Sequence, residues 1–201
     1  MRNSLVILGC FLAGILAGRL LPSSVSLTPD HYTLYVLCAL LLFVGIGVGG
    51  DAHFWQAMRQ RDNLRLALLP LLVVIGTLVG SAIVALLLPQ MTLRDALAVG
   101  AGFGYYSLSS VLLTQTRGET LGVIALLANL TREIATLVLA PLLVRFFGRL
   151  APIACGGATA MDSTLPIIVR FSGKEYSIAA LFSGIVLTAA VPFLIFLILN
   201  A

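Results

Sequence analysis

The stretch LGVIALLANLTREIATLVLAPLLV, residues 121–144, decides what kind of protein this is. Thirteen of its residues are Leu, Ile or Val, and as a helix rising 1.5 Å per residue it exceeds the ~30 Å hydrocarbon core of a bilayer. Arg132 and Glu133 stand at its midpoint, where a membrane helix tolerates charge least. Taking Glu like Asp, the pair costs about 5–7 kcal/mol to insert, against about 4–8 kcal/mol contributed by the aliphatic residues. A helix that inserts on so narrow a margin carries its charges for function or for pairing.

On a helix, Asn129 lies three residues from Arg132 and four from Glu133, so one amide can reach both charges from one face. Thr136 adds a hydroxyl a turn beyond Glu133. The plain alternative is a structural ion pair, Glu133 with Arg132 or with a neighbouring helix. Adjacent helical residues project about 100° apart, so the two charges are expected to serve different partners.

The rest of the chain agrees with a lipid solvent. Of 201 residues, 60% are hydrophobic and 10% charged, where an average soluble domain has roughly 45–50% and 25%. A mean hydropathy of +1.09 excludes disorder as well. Further apolar runs fall at 4–21, 32–50, 66–88, 95–116, 151–170 and 176–199, divided by Pro, Gly and charged residues. The expected fold is therefore an all-α integral membrane protein, a single transmembrane domain over 1–201 with about seven helices, some of them discontinuous.

Residues 4–21 are read as a span rather than a signal peptide, because the run continues past Cys10 with no small-residue cleavage site. Cys10, Cys38 and Cys155 are scattered in or beside apolar runs and fit neither a disulfide framework nor a zinc site. The net charge of +4 reflects basic residues between the runs, which read as topology signals and not as a nucleic-acid surface. With seven crossings, Arg2, Arg59, Arg61, Arg65, Arg117, Arg170 and Lys174 share one side, and Arg19, Arg94, Arg145 and Arg149 the other. The richer side is cytoplasmic, which puts the N-terminus inside and the C-terminus outside.

Two other runs carry polar chemistry at depth. Residues 155–166, CGGATAMDSTLP, hold a Gly pair, three hydroxyl residues, a Pro and Asp162 close to the centre of their run. Such sequence is tolerated at the midplane only when buried in protein or lining a cavity, so it reads as a broken helix with free carbonyls. The alternative is a Gly/Thr packing face with Asp162 paired to an Arg. Residues 100–110, GAGFGYYSLSS, offer the same combination, with Tyr106, Ser107, Ser109 and Ser110 supplying hydroxyls.

Enzymatic chemistry finds no support. Asp162 is the one aspartate at depth, and His31 and His53 fall at span ends, so neither an aspartyl dyad, a Ser-His pair nor a zinc site is available. A transporter without cofactor or metal fits what remains.

The segments Gly102-Phe103-Gly104-Tyr105-Tyr106-Ser107-Leu108-Ser109 and Asn129-Leu130-Thr131-Arg132-Glu133, followed by residues 156–166, resemble the bacterial lysine exporter family of the LysO type, over the whole chain. The resemblance implies export of L-lysine and its toxic analogues across the bacterial cytoplasmic membrane, with Glu133 and Asp162 as the essential acidic residues. It also implies kinship with secondary transporters built from inverted repeats with crossing broken helices. Longer family members carry roughly a hundred further residues ahead of this region, and the spans they hold would complete about ten helices. On that arithmetic a small partner subunit supplying the N-terminal half, or a homodimer, is expected.

The expected substrate and proton site comprises Glu133, Asp162, Arg132, Asn129, Tyr106, Ser107, Ser109, Thr159 and Ser163. Lysine is a cation leaving against an inside-negative potential, at about 2.3 kcal/mol per 100 mV, so an exchanged ion is needed. A proton taking turns with an ammonium group on a midplane carboxylate is the expected coupling. Sodium held by Asp162, Thr159 and free carbonyls is the alternative. Two other readings stand beside lysine export: an ion-coupled carrier of organic anions anchored on Arg132, and a structural subunit that does not transport.

Overall fold

The computed structural model describes residues 68–200 together with Tyr35, Ala39, Leu42, Ile46 and Gly50. The expected span at 4–21, the polar loop 51–65 and, apart from those five residues, the expected span at 32–50 lie outside the described residues. The chain divides after Leu40, and residues 68–200 belong to the unit Leu41–Ala201.

All regular structure among the described residues is helical, as backbone in lipid demands. The helices are α1 (Leu69–Leu87), α2 (Leu93–Gly100), α3 (Tyr106–Arg117), α4 (Glu119–Phe147), α5 (Ala151–Gly156), α6 (Leu165–Ser172) and α7 (Ser177–Asn200), with 3₁₀ turns at Gly157–Met161 and Lys174–Tyr176. Among the described residues, three stretches are long and apolar enough to cross a membrane: Leu69–Leu87, Glu119–Phe147 and Lys174–Asn200. Their outward faces are apolar, with Leu72, Val79 and Ile83 exposed on α1 and Phe193, Phe196 and Leu197 on α7.

The expected spans at 95–116 and 151–170 are corrected, because each folds back on itself. Asp95 near the start of α2 pairs with Arg117 at the end of α3, Oδ1 to Nε 3.9 Å, where a straight helix over that interval would hold them ~33 Å apart. Arg149 before α5 pairs with Glu175 after α6 at 3.1 Å, against ~39 Å for a straight helix. The arms α2 and α3 form hairpin 1, and α5 and α6 form hairpin 2. An apolar run of about 20 residues has the same composition whether it crosses a bilayer or turns round at its centre.

Hairpin 1 has its mouth at the start of α4 and hairpin 2 at its end, so they enter from opposite ends of a 29-residue helix that is ~43 Å long. This also reverses the expected grouping of charges. Arg117 lies with Arg94, and Arg149 with Lys174. Arm α3 packs on α4, where a Cβ on Gly122 would meet Ser110 O at 2.9 Å, and α7 packs on hairpin 2, where one on Gly184 would meet Met161 Cβ at 2.7 Å. Phe103, Leu108, Ile153, Ile168 and Leu187 are fully enclosed between these elements.

Candidate functional site

The two hairpin tips meet beside the middle of α4. Tip 1, residues 101–105, leaves the helix through Phe103 at φ 47° and Gly104 at φ 95°; tip 2 begins at Gly157, φ 63°. The amide of Ala158 donates to the carbonyl of Phe103 at 2.8 Å, joining the tips backbone to backbone. A Cβ on Gly157 would run into that same carbonyl oxygen, so the Gly pair serves both the left-handed turn and the close approach.

Helix α4 supplies the groups that hold the tips. The Asn129 Oδ1 accepts from Gly104 N at 2.7 Å, and its Nδ2 donates to Val99 O at 3.1 Å, Ala125 O at 2.9 Å and Ser109 Oγ at 3.4 Å. Its amide thus replaces backbone partners lost where α2 breaks, rather than reaching Arg132 or Glu133. Arg132 donates from Nε to Cys155 O at 2.7 Å, from Nη2 to Ala154 O at 2.9 Å and from Nη1 to Thr77 Oγ1 at 3.3 Å. Among the described residues it pairs with no carboxylate.

Glu133 is 9% exposed, on the same buried α4 face as Asn129 and Thr136. Among the described residues it has neither a hydrogen bond nor an ion pair. Asp162, by contrast, is exposed at the end of tip 2. Its Oδ1 accepts from Ser163 N at 2.5 Å and from Ser163 Oγ at 3.3 Å. Asp162 and Ser163 thus stand together just beyond the turn at which tip 2 meets tip 1.

Of the remaining expected residues, Ser109 and Thr159 are occupied internally, while Tyr106 contributes its backbone carbonyl. Ser109 Oγ donates to Tyr105 O at 2.9 Å, and more weakly to Tyr106 O at 3.4 Å. Thr159 Oγ1 donates to Gly156 O at 3.0 Å, and Thr164 Oγ1 to Thr159 O at 3.0 Å. Tyr105, Thr77 and Thr164 were not singled out from the sequence. Tyr105 could have been found, since it directly precedes the hydroxyl series; Thr77 sits in a featureless apolar helix and gives no local signal. A cavity of about 420 Å³ between α1, α2 and α4 reaches Asn129 and Arg132, and another of about 540 Å³ reaches Thr77 and Cys155. Neither is lined by Glu133 or Asp162.

The geometry is matched by a likeness to known proteins. The family described as lysine exporter LysO matches residues 8–199. A protein of Escherichia coli strain K12 named lysine exporter LysO is 36% identical over 161 residues, 80% of this chain and 52% of that protein. The chain thus spans about half the length of that relative. A Haemophilus influenzae protein provisionally named a lysine exporter is 36% identical over 168 residues, 83% of this chain and 84% of its own. No solved structure matches the chain.

Proposed function

Since the chain belongs to the lysine exporter LysO family, we propose that it is an inner-membrane carrier exporting L-lysine, with the meeting hairpin tips and the adjoining face of α4 as its binding site. The observation that carries this reading is that two acidic groups have no cationic partner among the described residues: Glu133, nine-tenths buried on α4, and Asp162 at the open end of tip 2. A carboxylate withdrawn from water without a partner is costly, and an ammonium group or a proton relieves that cost. Ser163 offers a hydroxyl beside Asp162. The first turn of α3 or α6 is suited to the lysine carboxylate.

The organic-anion reading, anchored on Arg132, is less favoured in this proposal, because three of the five N–H donors of Arg132 go to two carbonyls and a threonine. Ser109 and Thr159 shape the tips in this reading rather than touching substrate, while the Tyr106 phenol stays with the substrate-binding groups. Two hairpins entering from opposite ends of α4 support an inverted-element secondary transporter. If runs 4–21 and 32–50 cross as the sequence leads one to expect, the two hairpins let Arg145, Arg149, Arg170 and Lys174 join the Arg59, Arg61 and Arg65 series that precedes α1, leaving Arg19, Arg94 and Arg117 opposite. The basic end is cytoplasmic, and the termini keep their expected sides, N inside and C outside. Association with a second copy or with a separate subunit remains part of this proposal, as does proton antiport.

Glu133→Gln and Asp162→Asn are expected to abolish protection of cells against a toxic lysine analogue at unchanged membrane levels of the protein. Protection retained by both variants would contradict the site.

A further inference from the structure

We propose that Arg132 is a positioning residue, which caps the broken end of α5 and thereby sets tip 2, and is neither a ligand of the substrate nor the partner of a carboxylate. The inference deepens the carrier reading above and rests on the geometry of hairpin 2.

A helix leaves its last four carbonyls without intrahelical donors, and in α5 every one of the four can be traced. Ile153 O accepts from the amide of Gly157, where the chain turns. Ala154 O and Cys155 O accept from Arg132 Nη2 and Nε, at 2.9 and 2.7 Å. Gly156 O accepts from the Thr159 hydroxyl at 3.0 Å. Arg132 thus covers two successive carbonyls at membrane depth, where water cannot.

Only a planar fork reaches both carbonyls at once; a lysine ammonium is a point donor. The guanidinium also packs against the turn, since a Cβ on Gly157 would stand 3.1 Å from Nη2. Its third bond, to Thr77 Oγ1 at 3.3 Å, ties the assembly to α1. One residue beyond that turn, Ala158 N makes the bond to Phe103 O that joins the tips. Loss of the cap frees the end of α5, and with it the register between Asp162 and tip 1.

Cys155 is a built-in reporter, because its own carbonyl is one of the two that are capped and its thiol is partly accessible. The test uses the full chain in liposomes with Cys10→Ser and Cys38→Ser, alkylated by N-ethylmaleimide without lysine, so it is independent of whether lysine is the substrate. Arg132→Gln is expected to speed Cys155 alkylation about tenfold or more, the equivalent of losing hydrogen bonds from a charged donor. Arg132→Lys should fall between Gln and the parent, and it preserves the test if the Gln variant does not insert. Glu133→Gln should leave the rate unchanged. Equal rates for parent, Lys and Gln variants overturn the proposal, and so does acceleration by Glu133→Gln matching that of Arg132→Gln, which would mark an ion pair.

Discussion

The backbone amide of Ala158 and the carbonyl of Phe103 are hydrogen-bonded at 2.8 Å, so two hairpins that enter from opposite ends of α4 touch at their tips. Phe103 is fully buried and held at φ 47° to present that carbonyl, a conformation that costs about 1–3 kcal/mol and persists only where surroundings enforce it. Asn129 enforces it from α4, and Gly157 leaves the space for it.

Gly157→Ala should therefore separate the tips. The new Cβ meets the Phe103 carbonyl and the left-handed turn is strained besides, which together cost about 1–3 kcal/mol or more. Gly80→Ala on α1, with nothing within 4 Å of the added carbon, is the matched control and should be neutral or stabilising by about 0.5–1 kcal/mol. Melting temperature in detergent and export by cells should both fall for the first and hold for the second.

Much of this was legible in residues 100–110, 121–144 and 155–166. The membrane class, the depth of Arg132 and Glu133, and the breaks at the glycine-rich segments follow from composition and from the poor helix chemistry of Gly, Ser and Thr clusters. The return of each run on itself was not legible, because the information lies in distant pairs, Asp95 with Arg117 and Arg149 with Glu175. Nor did spacing tell what Asn129 and Arg132 do. Helical periodicity places a residue on a face, but whether its donors meet a charge or the carbonyls of another element depends on tertiary packing.

Asn129→Ala removes four hydrogen bonds and leaves Gly104 N without its acceptor. The expected destabilisation is about 2–4 kcal/mol. Asn129→Asp keeps the acceptor for Gly104 but sets a carboxylate against the Val99 and Ala125 carbonyls, so it should be no milder. Thermal unfolding of the purified variants reads this, and an unchanged midpoint for both would remove Asn129 from its role at tip 1.

The hairpins make a topological prediction that straight spans do not. Single cysteines at Asp95 and Arg117 should both be labelled by an impermeant maleimide from outside the cell, and those at Arg149 and Glu175 only in inside-out vesicles. Straight spans would put the members of each pair on opposite sides.

Proton coupling is read from the lumen of liposomes. Lysine efflux in sodium-free buffer should acidify the lumen as protons enter in exchange, and Glu133→Gln or Asp162→Asn should abolish the signal. Efflux that requires sodium and leaves luminal pH unchanged would assign the coupling to sodium.

Transport by the purified chain tests the central claim most directly. Liposomes carrying this protein alone, loaded with labelled lysine, should release it faster than liposomes carrying Glu133→Gln or Asp162→Asn, and in the uptake direction excess arginine or ornithine added with labelled lysine should compete while organic anions have no effect. Release no faster than from protein-free liposomes, by protein shown to be folded and inserted, would contradict the account.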